Sequence, residues 1–274
     1  MKIFKKFMII AMGLFLIACE DVVEVDLDKA EPELVVDASI DWEKGTIGKD
    51  QKIRLSTTTG YYSSEFPTVS GANIVVTNSA NAVFSFIENP DKKGEYICSN
   101  FEPVIGETYT LTILLNGETY KAEEKLMSVP DIEDTIEQNN SGGMAGDEVE
   151  ITYYYQDNGA QENYYLNRIT THLVAFPQYQ AEDDENNQGN LTPMFYSHKD
   201  LKAGDVIHIK LYGISKRYFD YFRKLLSASG NDDSPFPTTP TAVRGNILNQ
   251  TNSKNSVYGY FRLSEVAVKS YTIQ

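Results

Sequence analysis

Thr108-Tyr109-Thr110-Leu111-Thr112-Ile113-Leu114-Leu115-Asn116-Gly117-Glu118-Thr119-Tyr120-Lys121-Ala122-Glu123-Glu124-Lys125-Leu126 reads as two short strands, 108–115 and 118–126, joined by Asn116-Gly117. Asn-Gly favours the type I′ turn, whose backbone twist matches that of the strands it connects. Upstream, similar segments recur at Leu34–Ile40, Lys52–Thr58, Asn73–Thr77, Ala82–Ile87 and Glu95–Ser99, with Gly and Pro between them. Seven short strands at this spacing predict an immunoglobulin-like β-sandwich over residues 34–128.

Gly94, Tyr96, Pro103, Gly106, Tyr109 and Leu111 also resemble the prealbumin-like modules of bacterial surface proteins. The two readings share an architecture and leave the strand topology open. Ser128-Val129-Pro130 ends this domain, and Asn139-Asn140-Ser141-Gly142-Gly143 has a loop composition, so 129–147 is expected to be a linker. A second β-rich domain is expected over 148–274. Its strands are Val149–Tyr155, Asn163–Phe176, Val206–Tyr212, Val243–Leu248, Val257–Leu263 and Val266–Ile273, with a turn at Asp157-Asn158-Gly159 and an acidic, polar loop at Gln180–Gly189. One amphipathic helix is expected over 215–229. Ser215 caps its first turn, Ile214 and Phe219 stand as a hydrophobic staple, and Gly230 closes it. Tyr218, Tyr221, Phe222, Leu225 and Leu226 share its apolar face. The fold class is therefore mainly β, with one helix in the second half and no internal repeat.

The N-terminus adds a location. Lys2, Lys5 and Lys6 precede an apolar run from Phe7 to Ile17, and Leu16-Ile17-Ala18-Cys19 follows the pattern of a lipoprotein signal. The run of 11 residues is too short to span a bilayer, which takes about 20. This reading makes 1–18 a signal peptide cleaved between Ala18 and Cys19, with Cys19 lipidated. One acyl chain binds a membrane only marginally and two or more hold it stably. Residues 19–33 form an acidic tether, with Glu20, Asp21, Glu24, Asp26 and Asp28. That composition resembles surface-export signals and equally suits a solvated linker.

Formal net charge is −15, and loss of the three leader lysines takes it to −18. Such a balance argues against nucleic acid as a partner and against electrostatic docking to anionic lipid. Only Cys19 and Cys98 are cysteines. An acylated Cys19 leaves no disulfide and no cysteine-based zinc site, and Cys98 reads as a small buried strand residue.

Cys19, Asp26-Leu27-Asp28, Pro32 and Leu34-Val35-Val36-Asp37-Ala38-Ser39-Ile40 resemble the start of the Bacteroidota lipoproteins called domain of unknown function 4249. Ala38 stands where that pattern has Gly. The helix tyrosines with Phe222, then Pro240, Gly245-Asn246-Ile247 and Gly259-Tyr260-Phe261, resemble the family's C-terminal half. The resemblance implies an outer-membrane lipoprotein, often encoded beside a TonB-dependent transporter. It implies no activity and no site residues.

No local motif of the sequence carries recognisable chemistry. His172, His198 and His208 are not at metal-ligand spacing, and there is no Gly-x-Ser-x-Gly elbow or phosphate loop. Glu182-Asp183-Asp184-Glu185 lacks the ligand alternation of a calcium loop and reads as a solvated charge run. Asp134-Thr135-Ile136 resembles a Bacteroidota O-glycosylation acceptor, a pattern loose enough to arise by chance. No cofactor, metal or catalytic residue is assigned, and the chain reads as a non-enzyme.

Aromatics are the remaining lead. In Ile151-Thr152-Tyr153-Tyr154-Tyr155, strand alternation turns Tyr153 and Tyr155 inward with Ile151 and leaves Tyr154 outward. Tyr154, with Tyr61 and Tyr62 in a Ser/Thr-rich loop, is the candidate partner contact. The leading expectation is a binding or accessory lipoprotein beside a transporter, with an unidentified ligand. A structural or adhesive surface protein is the second expectation, and a hydrolase with a non-local site the third.

Overall fold

A computed structural model describes residues 31–60, 63, 65–229 and 243–274. The first seven strands are β1 (Leu34–Glu43), β2 (Gln51–Thr57), β3 (Asn73–Asn78), β4 (Val83–Glu88), β5 (Glu95–Cys98), β6 (Thr108–Leu115) and β7 (Glu118–Lys125). The β6–β7 turn has positive φ at both Asn116 and Gly117, as the type I′ geometry requires.

Pairing of these strands runs β1-β2-β5-β4 in one layer and β3-β6-β7 in the other, with β4 bridging to β3. This is the strand order of an immunoglobulin-type sandwich. Val36, Ala38, Ile40, Ile53 and Leu55 face Ile74, Val76, Leu111 and Ile113 across the core, around the ring cluster of Phe84, Phe101 and Tyr109. Cys98 is buried there, and burial pushes its thiol pKa up.

Beyond Lys125 come β8 (Ile132–Gly142), β9 (Glu148–Gln156), β10 (Tyr164–Thr170), β11 (Gln178–Asp183), β12 (Leu191–His198), β13 (Val206–Ile214), helix α1 (Lys216–Ala228), β14 (Leu248–Asn249) and β15 (Val257–Thr272). Strands β12-β9-β8 form a separate three-stranded sheet. It packs against β10, β13 and β15 through Ile151, Tyr153, Tyr155, Ile207, Ile209 and Leu211. Helix α1 covers the opposite face of those same strands, against Leu166, Tyr212, Ile214 and Val266. The second half is thus three layers deep, sheet on sheet on helix.

β15 joins the halves. It pairs in parallel with β1 from Leu34↔Val257 to Glu43↔Val266, then antiparallel with β13. Phe261 and Leu263 lie in the first core, Tyr260 and Val266 under the helix, and Ala267 and Ile273 in the second core. A 12-stranded sheet therefore runs through both sandwiches, and Pro32–Gln274 is one compact unit.

Several elements differ from expectation. Residues 129–147, expected as a linker, carry β8, and the polar 180–189 segment begins inside β11. No strand is expected where β12 runs. Val257–Leu263 and Val266–Ile273 are one strand because it is buried on both sides and passes from one core to the other without a turn. Residues 243–247 make no regular strand. Instead Asn246 imitates a strand partner, its Nδ2 donating to the Phe261 carbonyl at 2.8 Å and its Oδ1 accepting the Phe261 N–H at 2.8 Å.

On α1, Ser215 is the N-cap, accepting from Tyr218 N–H, as expected. Phe219 is buried and Leu225 is 40% exposed, the reverse of the expected facing for Leu225. Gly230 lies outside the described residues.

Candidate functional site

The outer face of the three-stranded sheet is the most distinctive contact surface. β9 keeps strict alternation: Ile151, Tyr153 and Tyr155 are buried, and Thr152 and Tyr154 point away from the core. A bulge does occur here, but on β8, between Ile132 and Ile136, so the facing of β9 is undisturbed.

Tyr154 lies directly opposite Pro193 of β12, and Thr152 opposite Phe195. Cross-strand neighbours on one face stand about 4.5–5.5 Å apart at Cβ. Leu191 and Phe195 are 51% and 57% exposed. Leu191, Pro193 and Phe195 therefore form an exposed apolar strip with half-buried Tyr154 beside it. Exposed Glu137 of β8, opposite Thr152, edges it with negative charge. Partial burial and the neighbouring Glu137 carboxylate push the Tyr154 phenol pKa up. β12 is an edge strand, and Pro193 cannot donate a ladder hydrogen bond, so this edge is blunted against strand addition and the face is left as the contact surface.

Beneath the strip, the tyrosines are committed to the core. Tyr153 donates to Asn167 Oδ1 at 2.9 Å. Tyr165 donates to Asp157 Oδ1 at 2.6 Å, and the Gly189 N–H donates to Asp157 Oδ2 at 2.7 Å. Asp184, expected in a solvated run, is 5% exposed and accepts the Asn163 N–H at 2.8 Å. These two buried carboxylates tie the 157–163 and 184–190 loops together. They are satisfied by neutral donors, and among the described residues no group of three or more acidic, His or Cys side chains is arranged to hold a metal.

Of the other residues singled out from sequence, Ala18, Cys19, Tyr61 and Tyr62 lie outside the described residues. His208 is exposed and shares a 2.9 Å hydrogen bond with Ser270 Oγ. Asp134 is exposed and paired with Lys269 at 2.6 Å. Phe195, Pro193 and Leu191 are not among the residues the sequence singles out, since no strand is expected at β12. Its inward Thr192, Met194 and Tyr196 alternate with these outward residues, and that period of two is the signal that marks the strand.

Strand order and layering define an immunoglobulin-type β-sandwich protein extended by a helix-covered second half. The chain matches the family described as Domain of unknown function (DUF4249) over residues 20–270, and it belongs to that family. No curated protein matches it. Among solved structures it is similar to a two fibronectin type-III domain segment from chicken tenascin, at 10% identity and TM-score 0.22, covering 69% of this chain and 89% of that one. It is also similar to bovine butyrophilin, at 14% identity and TM-score 0.23, covering 66% and 92%.

Proposed function

We propose that the protein is an outer-membrane-anchored binding or accessory lipoprotein of a Bacteroidota envelope, held by lipid on Cys19, that partners a TonB-dependent transporter in uptake. The observation that carries this reading is the outward strip of Leu191, Pro193 and Phe195, with half-buried Tyr154 beside it. An apolar centre with a polar rim suits a protein partner. The leader and Cys19 support envelope attachment, and the family resemblance supports the transporter as the partner.

Copurification from native membranes tests it. A barrel protein recovered in stoichiometric amount, and lost with Tyr154→Ala, is the expected result. Recovery alone, with binding to cells or matrix instead, would favour an adhesive role. Cys19→Ala should release the protein to the soluble envelope fraction or leave it unprocessed. A processed Cys19→Ala protein that still fractionates with membranes would refute the anchor.

A further inference from the structure

Away from the strip, α1 borders a cleft of about 640 Å³, a size that suits a small molecule. Four cations line it: Lys216, Arg217 and Lys224 from the helix and Arg244 from the segment that returns to β15. In a chain of net charge −15 this is a local reversal of sign. Lys216 and Arg217 occupy the first helical turn, which contains no acidic residue. Cations there oppose the positive end of the helix dipole, a repulsion that Lys216 offsets through Asp220 and the Tyr164 ring and Arg217 through Glu124.

Asp220 and Glu124 face the group, Glu162 also acts on Lys216, and Asp37 acts on Tyr221. Asp220 takes Lys216 at 3.4 Å. Glu124 is buried beneath the cleft, where its Oε2 accepts from the Tyr260 hydroxyl at 2.9 Å, and Arg217 is the cation that acts on it. Lys224 and Arg244 come from different elements and have no ion-pair partner among the described residues. Tyr221 and Tyr260, with ring centroids 4.8 Å apart, give the cleft an aromatic wall.

We propose that this cleft binds a small free polyanion carrying at least two phosphate or carboxylate groups. Arg244 and Lys224 engage the charges, Arg217 reinforces them, and Tyr221 receives the carbon or ring portion. Guanidinium suits such oxyanions because its planar fork matches them in two hydrogen bonds. Among the described residues Lys216 and Arg217 are offset by Asp220, Glu162 and Glu124, so the positive charge left for a ligand is that of Lys224 and Arg244, too little for a nucleic-acid surface.

Calorimetric titration of the purified full chain with inorganic pyrophosphate and with citrate tests this. The expected result is a dissociation constant below about 1 mM for at least one of them in low salt. It should weaken several-fold at about 0.3 M salt, where screening shortens the range of the field. The K224Q/R244Q variant should lose about tenfold or more with an unchanged melting temperature, since both side chains are exposed. D220N should bind more tightly, which keeps the test open if the double variant folds poorly. No binding by either anion at about ten times that concentration, or equal binding by the folded double variant, would overturn the proposal. A response to dihexanoyl phosphatidic acid alone would assign the cleft to a lipid headgroup and overturn the free-anion reading.

Discussion

Gly259 of β15 lies opposite Val36 of β1, and the two backbones approach so closely that a Cβ on Gly259 would collide with the Val36 carbonyl. Its φ of +93° is also one that L side chains rarely adopt. Close approach and backbone conformation thus both require glycine, near the start of the parallel pairing of β1 with β15. Gly259→Ala should cost more than about 3 kcal/mol, near the upper range for a single substitution. Urea unfolding measures this, and a loss under about 1 kcal/mol would refute the close packing of β1 on β15.

Helix α1 gives a sharp comparison. Phe219 and Phe222 are buried against β10, β13 and β15, whereas Leu225 is 40% exposed. Phe219→Ala and Phe222→Ala should each cost about 3–5 kcal/mol. Leu225→Ala and Lys224→Ala should each cost under about 1 kcal/mol. Thermal melts of the four variants would separate them, and a Leu225→Ala loss equal to that of Phe219→Ala would mean the helix is rotated from its observed position.

On β9 the neighbouring tyrosines should behave in opposite ways. Tyr153→Phe removes the donor to buried Asn167 Oδ1 and should cost about 1–3 kcal/mol. Tyr154→Ala should leave the melting temperature nearly unchanged and weaken partner binding by about 2 kcal/mol if it is a hot spot. A Tyr154→Ala protein that keeps its partner but melts early would reverse these roles.

Glu124 makes stability depend on pH. Burial raises its carboxyl pKa, and this outweighs the hydrogen bonds from Tyr260 and the Lys125 N–H and the pull of Arg217. A carboxyl whose folded pKa exceeds its unfolded value contributes stability that is fully present below the unfolded value, about 4.3, and is lost as pH rises through the folded pKa. Glu124→Gln can still accept from Tyr260 and should remove this dependence. Its melting temperature relative to the native protein should rise from pH 4 to pH 8. A constant difference between the two proteins across that range would show that Glu124 ionises without cost.

Legibility followed the local signal. β6 and β7 were read to within one residue because their inward Tyr109, Leu111, Ile113, Tyr120 and Ala122 alternate with outward polar residues, and Asn116-Gly117 sets the turn between them. Tyr153, Tyr154 and Tyr155 were faced correctly for the same reason: a period of two survives wherever a strand buries one side. Ser215 and the staple residues likewise announce α1 from within a few positions of its start.

The sequence by itself determined the β class, the first seven strands, the helix and the facing of Tyr154, since each depends on contacts between residues close along the chain. Only the tertiary structure decided the rest. β8 and β11 are polar strands at sheet edges, where few inward positions exist to show a period. β15 is covered on both sides, so its alternation disappears and its unbroken course depends on β1, more than 200 residues earlier. The apolar strip needed Phe195 brought beside Thr152, and the cleft needed Arg244 brought beside α1. Such pairings depend on which distant segments share a core, and no local pattern of residue types encodes that partner.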